Sequence, residues 1–193
     1  RGPNPGAPPA FGPGVTQGHY WIHTPAGVRD ETFVAAPGPG GWRYFGRVRD
    51  PESGRQIYVV DHIVDLSWRL VRFRLVREGG ETLVAPSDAG LQVGTADRTE
   101  VLHFDGVEVV WSPSPCALHV LDRYLSRSGR AEAEAVQVSA DGAANRVAIE
   151  LRRFDPGDRG SVTIDGRRSE VVFGADLPRR ASGWFDLAGE GVF

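Results

Sequence analysis

Three Asp-Gly pairs, at residues 105–106, 141–142 and 165–166, divide the second half of the chain into short segments. Both residue types tolerate the positive φ angles that tight hairpin turns require. At the first pair, a two-residue loop would place His103 opposite Glu108 on one face, with apolar pairs on the other. The three pairs therefore predict antiparallel hairpins, and His103 with Glu108 is interpreted as a cross-strand pair on the surface.

Further strands are predicted from alternation. Residues 42–50 and 146–152 alternate between apolar and charged side chains, as expected of strands with one buried face. Residues 57–64 (IYVVDHIV) are apolar on both faces, which is typical of a central strand covered on both sides.

One segment, residues 115–127, has the pattern of a helix. Leucines recur at helical spacing, Pro115 suits the first turn, and Gly129 follows the end. Residues 131–137 fit a second helix, although Val136-Gln-Val138 favours a strand. Many short strands, one helix and no βαβ rhythm predict a mainly β fold: a curved antiparallel sheet or a β-barrel with one packed α-helix.

The chain divides into two parts. Residues 1–14 (RGPNPGAPPAFGPG) are rich in Pro and Gly and are expected to be an arm or linker, and residues 15–193 a single β-rich domain. The absence of Met, even at position 1, suggests that an initiator or a longer N-terminal segment has been lost. No signal peptide is visible and no run approaches the roughly 20 apolar residues of a membrane span, so we expect a cytoplasmic protein without a membrane span.

Composition excludes several classes of function. A net charge of −3 argues against a nucleic-acid partner, which needs a basic face. The chain has no Lys, which rules out Schiff-base catalysis by a lysine amine. Cys116 is the sole cysteine, so no internal disulfide and no cysteine-based zinc site are expected. We predict no cofactor and no metal, and the oligomeric state stays open. Arg in place of Lys, with abundant Ala, Gly and Val, is typical of a GC-rich bacterial genome.

Two histidine-containing groups are weak candidates for a site. His19 and His23 share a strand face, but four residues of strand span about 13 Å, which is too far for one metal ion. Cys116 and His119 share a helix face and could form a nucleophile and base. The neighbouring leucines favour simple packing of this helix.

The strongest candidate is the segment 61–74 (DHIVDLSWRLVRFR). Strict alternation places Asp61 and Asp65 on one face of a strand that otherwise looks buried, with His62 on the opposite face. After a short break, the same alternation places Arg69 on the side of residues 71, 73 and 75. Charges on apolar faces are costly unless they are paired. One interpretation is a structural Arg–Asp pair, and the other is a set of groups that orient a ligand in an apolar cavity.

Residues 41–125 contain a series of short motifs that resembles the pattern of a bacterial glycolipid-binding family. The matching residues are Gly41-Trp42 with Gly46, Asp65-Leu-Ser-Trp68 followed by Arg69, Phe104-Asp105-Gly106, and Trp111-Ser-Pro-Ser-Pro115 leading to Asp122-Arg123. Leu118 and Val120-Leu121 replace an Asn and a Pro of the family pattern. The resemblance implies a barrel-like β fold with an apolar interior, and it points to Trp42, Asp65, Trp68 and Arg69 as ligand-binding residues.

Two functions follow. The first is binding of a lipid-like or polyketide-like hydrophobic small molecule in the apolar interior of the barrel, with Asp65, Trp68 and Arg69 near its polar end. The second is a cofactor-independent enzyme, an isomerase, cyclase or hydrolase, in the same cavity. Its acid–base residues would be Asp61, His62 or Asp65.

Overall fold

The computed structural model describes residues 16–24, 27–96, 101–112, 114–154, 159–172 and 180–186. Within them the chain forms fourteen β-strands and one α-helix. The strands are β1 (Thr16–Thr24), β2 (Gly27–Gly38), β3 (Gly41–Arg49), β4 (Gln56–Asp65), β5 (Leu70–Arg77), β6 (Gly80–Pro86), β7 (Gly90–Thr95), β8 (Leu102–Asp105), β9 (Val109–Trp111), β10 (Glu132–Val138), β11 (Ala144–Phe154), β12 (Arg159–Ile164), β13 (Arg167–Val172) and β14 (Arg180–Asp186). Helix α1 (Pro115–Ser128) lies between β9 and β10. The predicted arm, residues 1–14, is outside the described residues.

All fourteen strands belong to one sheet, in the order β8-β7-β6-β5-β4-β3-β2-β1-β14-β13-β12-β11-β10-β9. Strands β1 to β8 form one antiparallel meander, and β10 to β14 form a second. Two parallel pairs complete the sheet: β1 with β14, and β9 with β10. The second pair is connected through α1 and is a βαβ unit that the sequence does not predict, because β9 is too short to give a periodic signal.

The predicted mainly β fold, with a curved sheet and one packed helix, is confirmed. Curvature follows from the connectivity, since β8 and β9 lie at opposite ends of the sheet order but are joined by residues 106–108 alone. In the described part of the chain β8 and β9 are not paired, so the sheet is curved and is not closed into a barrel.

Two of the three predicted Asp-Gly hairpins are confirmed. Asp165 and Gly166 have φ angles of 47° and 81° and form the two-residue turn between β12 and β13. Residues 141–142 lie in the turn between β10 and β11, where Gly142 has a φ of 81°. These positive φ angles are the conformations that Asp and Gly tolerate best.

The hairpin predicted at residues 105–106 is wrong. Strand β8 pairs with β7, so His103 lies opposite Gln92 and not opposite Glu108. Strand β9 pairs instead with β10. The reason is burial: all three residues of β9 are covered, so this strand needs a partner that is also buried. Gly106 still makes a turn, with a φ of 75°.

The two faces of strand β4 differ in burial, whereas its apolar pattern predicted a strand covered on both sides. The side chains on its inner face are at most 1% exposed: Tyr58, Val60, His62 and Val64. Asp61 and Ile63 lie on the outer face. The same alternation holds in β3, where Tyr44 and Val48 are buried and Arg43, Arg47 and Arg49 are exposed.

Strand β5 departs from the predicted alternation because of a β-bulge. The register between β4 and β5 shifts between Ile63 and Val64. As a result Val71 and Arg72 are both exposed, while Leu70 and Phe73 on either side are buried. The prediction that Val71 shares a face with Phe73 is therefore wrong, since a bulge inserts one residue and reverses the faces that follow.

Two apolar clusters fill the space that the sheet encloses. The first packs α1 against strands β1–β4 and β9–β12, with Trp111, Leu118 and Leu121 fully buried. The second packs β3–β8 against β9 and β10, with Phe73 and Leu75 at 0% exposure. Strands β9 and β10 contribute to both clusters, which explains why they are buried on both faces.

Helix α1 begins at Pro115 and ends one residue beyond the predicted 115–127. Gly129 follows with a φ of 66°, and the Arg130 N–H donates to the Leu125 carbonyl at 3.1 Å. This is the Schellman arrangement that commonly ends helices. Residues 132–138 form a strand, as Val136-Gln-Val138 predicts. No helix in the described ranges has the length and apolar character needed to cross a membrane.

Candidate functional site

A cavity of about 300 Å³ lies where three connections of the sheet meet. Its walls are Arg69 and Leu70 at the start of β5, residues 86–91 between β6 and β7, and residues 106–108 between β8 and β9. Leu70 and Leu91 supply apolar surface, while Arg69, Asp88 and Glu108 supply charge. This size is at the lower end of the range for small-molecule sites, and such a mixture of apolar walls with a few polar groups is typical of them.

Two charged side chains of the cavity wall, Arg69 and Glu108, lie close together, and a residue of α1 contacts Glu108. The Tyr124 hydroxyl, on α1, donates to Glu108 Oε2 at 2.8 Å. Arg69 Nη2 lies 3.8 Å from Glu108 Oε1, an ion pair without a hydrogen bond. The Arg69 and Glu108 side chains are 62% and 47% exposed, so both can reach a molecule in the cavity. Burial, together with the hydrogen bond to Glu108, raises the pKa of the Tyr124 phenol above its ordinary value.

Arg69 is positioned by a turn that Asp65 stabilises. Asp65 Oδ1 accepts hydrogen bonds from the Ser67 N–H at 2.7 Å and the Arg69 N–H at 3.0 Å. The Asp65 carbonyl also accepts the Trp68 N–H at 3.0 Å. The carboxylate therefore holds the backbone of Arg69 and makes no ion pair with its guanidinium. Asp side chains favour turns for this reason, since they bond to backbone N–H groups a few residues on.

Trp68 lies in this turn with a φ of 65°, a left-handed conformation that is rare for a bulky residue. Its ring stacks on Trp42, with centroids 5.8 Å apart and an interplanar angle of 17°, and also lies near Tyr44. Trp42 and Trp68 pack against the first apolar cluster. We infer that this stacking offsets the cost of the left-handed backbone, which is of order 1–3 kcal/mol.

Asp61 is held on the outer face of the sheet by two arginines. Its Oδ1 accepts from Arg43 Nε at 2.7 Å, and its Oδ2 accepts from Arg43 Nη2 at 3.1 Å and Arg72 Nη2 at 2.9 Å. The Asp61 side chain is 7% exposed. This is a structural Arg–Asp pair of the kind considered in the sequence analysis, but the partners are Arg43 and Arg72 and not Arg69.

His62 lies on the inner face and is fully buried. Its ring meets Phe73 edge-on, with centroids 5.4 Å apart, and neither ring nitrogen has a hydrogen-bond partner among the described residues. Burial lowers the pKa of His62 from 6.5 to about 4, although the nearby Asp61 charge acts in the opposite direction. The imidazole is therefore neutral at pH 7.

The structure brings together some of the predicted site residues and separates others. Trp42 and Trp68 are in contact, and Asp65 fixes the backbone of Arg69, which lines the cavity. Asp61 and His62 point to opposite faces of β4, and neither is among the described residues that line the cavity.

Glu108 and Tyr124 were missed by the sequence analysis. Glu108 was interpreted as a surface partner of His103, and Tyr124 falls in a helix whose leucines suggested packing alone. Their contact depends on the connection between β8 and β9 meeting the helix, which no local pattern indicates.

The remaining candidates do not form a site in the described residues. His19 Nε2 bonds to Asp30 Oδ1, and the His19 ring meets Trp21 edge-on at 5.2 Å. The side chains of His23, Cys116 and His119 lie outside the described part of the structure. No group of three His, Cys, Asp or Glu side chains within that part could hold a metal ion.

A broader depression of about 820 Å³ lies over β10–β12 and the end of α1. Two glutamates at this surface are already bonded to arginines: Glu134 to Arg146 and Glu150 to Arg152, each at 2.7 Å. Because none of the predicted site residues is among its described lining residues, whereas Arg69 lines the smaller cavity, we favour the smaller cavity as the candidate site.

The chain matches no family model, no curated protein and no solved structure.

Proposed function

We propose that the protein binds a hydrophobic, lipid-like or polyketide-like small molecule in the cavity at Arg69. The polar end of the molecule would contact Arg69 and Glu108, and its apolar part would contact Leu70, Leu91 and Val107. The single observation that supports this most strongly is the Arg69 guanidinium, which lines an open cavity and donates no hydrogen bond to any described residue. The nearest atom of Glu108, Oε1, lies 3.8 Å from Arg69 Nη2, beyond hydrogen-bond distance.

The ligand would then lie in the cavity where three connections of the sheet meet, and not in the interior, which is the location that the sequence predicts. Side chains of the two apolar clusters occupy the interior, including the fully buried Trp111 and Phe73. The cavity at the three connections has both the space and the polar groups, so it is the better location.

The probe for this site is the fluorescent dye 1-anilinonaphthalene-8-sulfonate, which combines an anionic group with apolar rings. We expect Arg69→Leu to weaken dye binding about tenfold or more, equivalent to about 1.4 kcal/mol, and to leave the melting midpoint nearly unchanged. Arg55→Leu is the matched control, because Arg55 is 75% exposed and lies away from the cavity.

Native mass spectrometry of the unmodified protein, purified from a bacterial host without detergent, supplies an independent measurement. A co-purified hydrophobic molecule that is lost in Arg69→Leu and retained in Arg55→Leu supports the proposal. If Arg69→Leu folds and binds the dye as the parent does, the ligand site lies elsewhere and the proposal is wrong.

A further inference from the structure

The centre of the outer face of β3–β6 is rich in arginine. Its outward side chains, together called the arginine face, are Arg43, Phe45, Arg47, Val59, Asp61, Ile63, Val71, Arg72, Arg74, Val76, Glu81 and Leu83. Four cations and two carboxylates leave an excess of two positive charges. The whole chain has a net charge of −3, so the remainder of the protein is acidic.

Both carboxylates of the arginine face are already bonded. Asp61 accepts from Arg43 and Arg72, and Glu81 accepts two hydrogen bonds from Arg74, each at 2.6 Å. The bond from Arg74 lowers the pKa of Glu81, which keeps this carboxylate ionised. A further carboxylate could therefore approach this face and meet positive charge.

Asp61 holds two of the guanidiniums in place while they stay in contact with water. Its side chain is 7% exposed, whereas Arg43 is 58% and Arg72 is 45% exposed. A guanidinium has five N–H donors, and these bonds use two from Arg43 and one from Arg72. The unused donors can bind a second carboxylate at a reduced entropic cost, because the side chains are already ordered.

Arg47 is the least constrained of the four arginines. Its guanidinium lies over the Phe45 ring, with Cζ 5.5 Å from the ring centroid, and it donates no hydrogen bond to any described residue. Arg47 therefore has its charge and all its donors available for a partner.

Apolar side chains lie between the arginines. Val71 is 47% exposed and Leu83 is 39% exposed, while Phe45 and Ile63 are partly buried. The β-bulge contributes directly, because it exposes both Val71 and Arg72. Arginine mixed with aromatic and apolar side chains is the composition that protein–protein interfaces favour.

From the charge excess, the ordered guanidiniums and the exposed apolar groups, we propose that the arginine face is a docking surface for an acidic segment of a partner protein. The segment carries carboxylates that bind Arg43, Arg47 and Arg72, separated by apolar residues that cover Val71 and Leu83.

A protein partner fits this surface better than nucleic acid or a lipid surface does. Nucleic acid and anionic membranes attract large clusters of uncompensated cations. Here Arg74 is bonded to Glu81, Asp61 neutralises one charge of the Arg43–Arg72 pair, and the rest of the chain is acidic. A short acidic segment needs to match only a small charge excess.

The test measures fluorescence anisotropy of a labelled peptide of alternating glutamate and valine, added to the full chain at low ionic strength. The same peptide with glutamine in place of glutamate controls for charge. We expect the glutamate peptide to bind, the glutamine peptide to bind at least about tenfold more weakly, and the affinity to fall as salt is added.

Two variants test the location. The double variant Arg47→Gln with Arg72→Gln should weaken peptide binding about tenfold or more. The matched control is Arg146→Gln with Arg152→Gln, which removes the same charge from exposed arginines on β11. If the first double variant unfolds more easily, Arg47→Gln alone decides the question, because the Arg47 guanidinium holds no hydrogen bond to the described protein.

The proposal stands if the peptide binds and only the variants of the arginine face weaken it. It is overturned if no peptide binds, if the β11 control weakens binding equally, or if single-stranded DNA or phosphatidylglycerol vesicles bind as tightly as the peptide. Dye binding at the Arg69 cavity should be unchanged in Arg47→Gln, so this proposal and the proposed function can fail separately.

Discussion

Asp61 and His62 are consecutive residues of β4, but the surfaces to which they belong satisfy polar groups in opposite ways. On the outer face, the almost fully covered Asp61 carboxylate accepts three hydrogen bonds from two arginines of neighbouring strands. On the inner face, the fully buried His62 ring is next to Phe73 and has no hydrogen-bond partner in the described structure. Burial alone therefore does not indicate how a polar group is stabilised; the side chains on the flanking strands decide it.

The largest expected effect comes from acidifying the inner face. His62 has a pKa near 6.5 in the unfolded chain and about 4 in the folded protein. Between these values the unfolded state binds the proton and the folded state does not, so the free energy of unfolding falls as the pH is lowered from about 6.5 to about 4. The loss attributable to His62 is about 3 kcal/mol, and the full stability is present above pH 6.5.

Urea denaturation at pH 7 and at pH 4, on the parent and on His62→Leu, checks this expectation. Protonation of carboxylates whose pKa values are lowered, such as Glu81 and Asp141, also reduces the free energy of unfolding in acid. This loss is the same in both proteins. The His62 contribution is the difference between the two losses. Equal losses in parent and variant would contradict the low pKa of His62.

The second effect concerns the outer face. Asp61→Asn removes the negative charge and replaces one acceptor oxygen by an NH2 group, which cannot accept a hydrogen bond from an arginine. Because the arginines remain partly in water, we expect a loss of about 2 kcal/mol, which is less than for a pair buried on both sides. The measurement is urea denaturation, with Glu52→Gln as the exposed control. If Asp61→Asn unfolds at the same urea concentration as the parent, the hydrogen bonds of Asp61 to Arg43 and Arg72 do not stabilise the fold.

The smallest expected effect comes from removing the Asp65 side chain, which makes a different kind of contact from Asp61. Asp65 accepts two backbone N–H groups and no guanidinium, so Asp65→Ala removes a turn contact and no ion pair. We expect a loss of about 1 kcal/mol in unfolding free energy and weaker dye binding, because the backbone of Arg69 is released. Thermal unfolding and the dye titration check both parts. Normal dye binding in a destabilised Asp65→Ala would show that the turn does not position Arg69.

Local patterns predicted the parts of the fold that depend on neighbouring residues. The alternation of β3, the turn at residues 165–166 and the helix at Pro115 all follow from short stretches of sequence. In each case the burial period or the required φ angle is a property of the segment itself, so one sequence is enough.

The missed features depend on contacts between distant segments. A bulge opposite Ile63 reversed the predicted faces of β5, and its position depends on the pairing with β4. The Asp-Gly pair at residues 105–106 turns the chain, but β8 finds its partner in β7 and β9 in β10. For the candidate site, Arg69 and Asp65 stood out as charges among apolar residues, whereas Glu108 and Tyr124 meet only after the sheet has curved around the helix.

The two strands at the ends of the sheet order are also among its shortest. Strand β8 has four residues and β9 has three, whereas β2 and β11, which lie between paired neighbours, have twelve and eleven. An unpaired strand edge is a template on which a strand of another molecule can add, and proteins limit this by keeping edge strands short. In the described sheet each end strand therefore offers few free backbone N–H and C=O groups to a strand of another molecule. The length of the end strands therefore protects a sheet of fourteen strands from aggregation through its open edges.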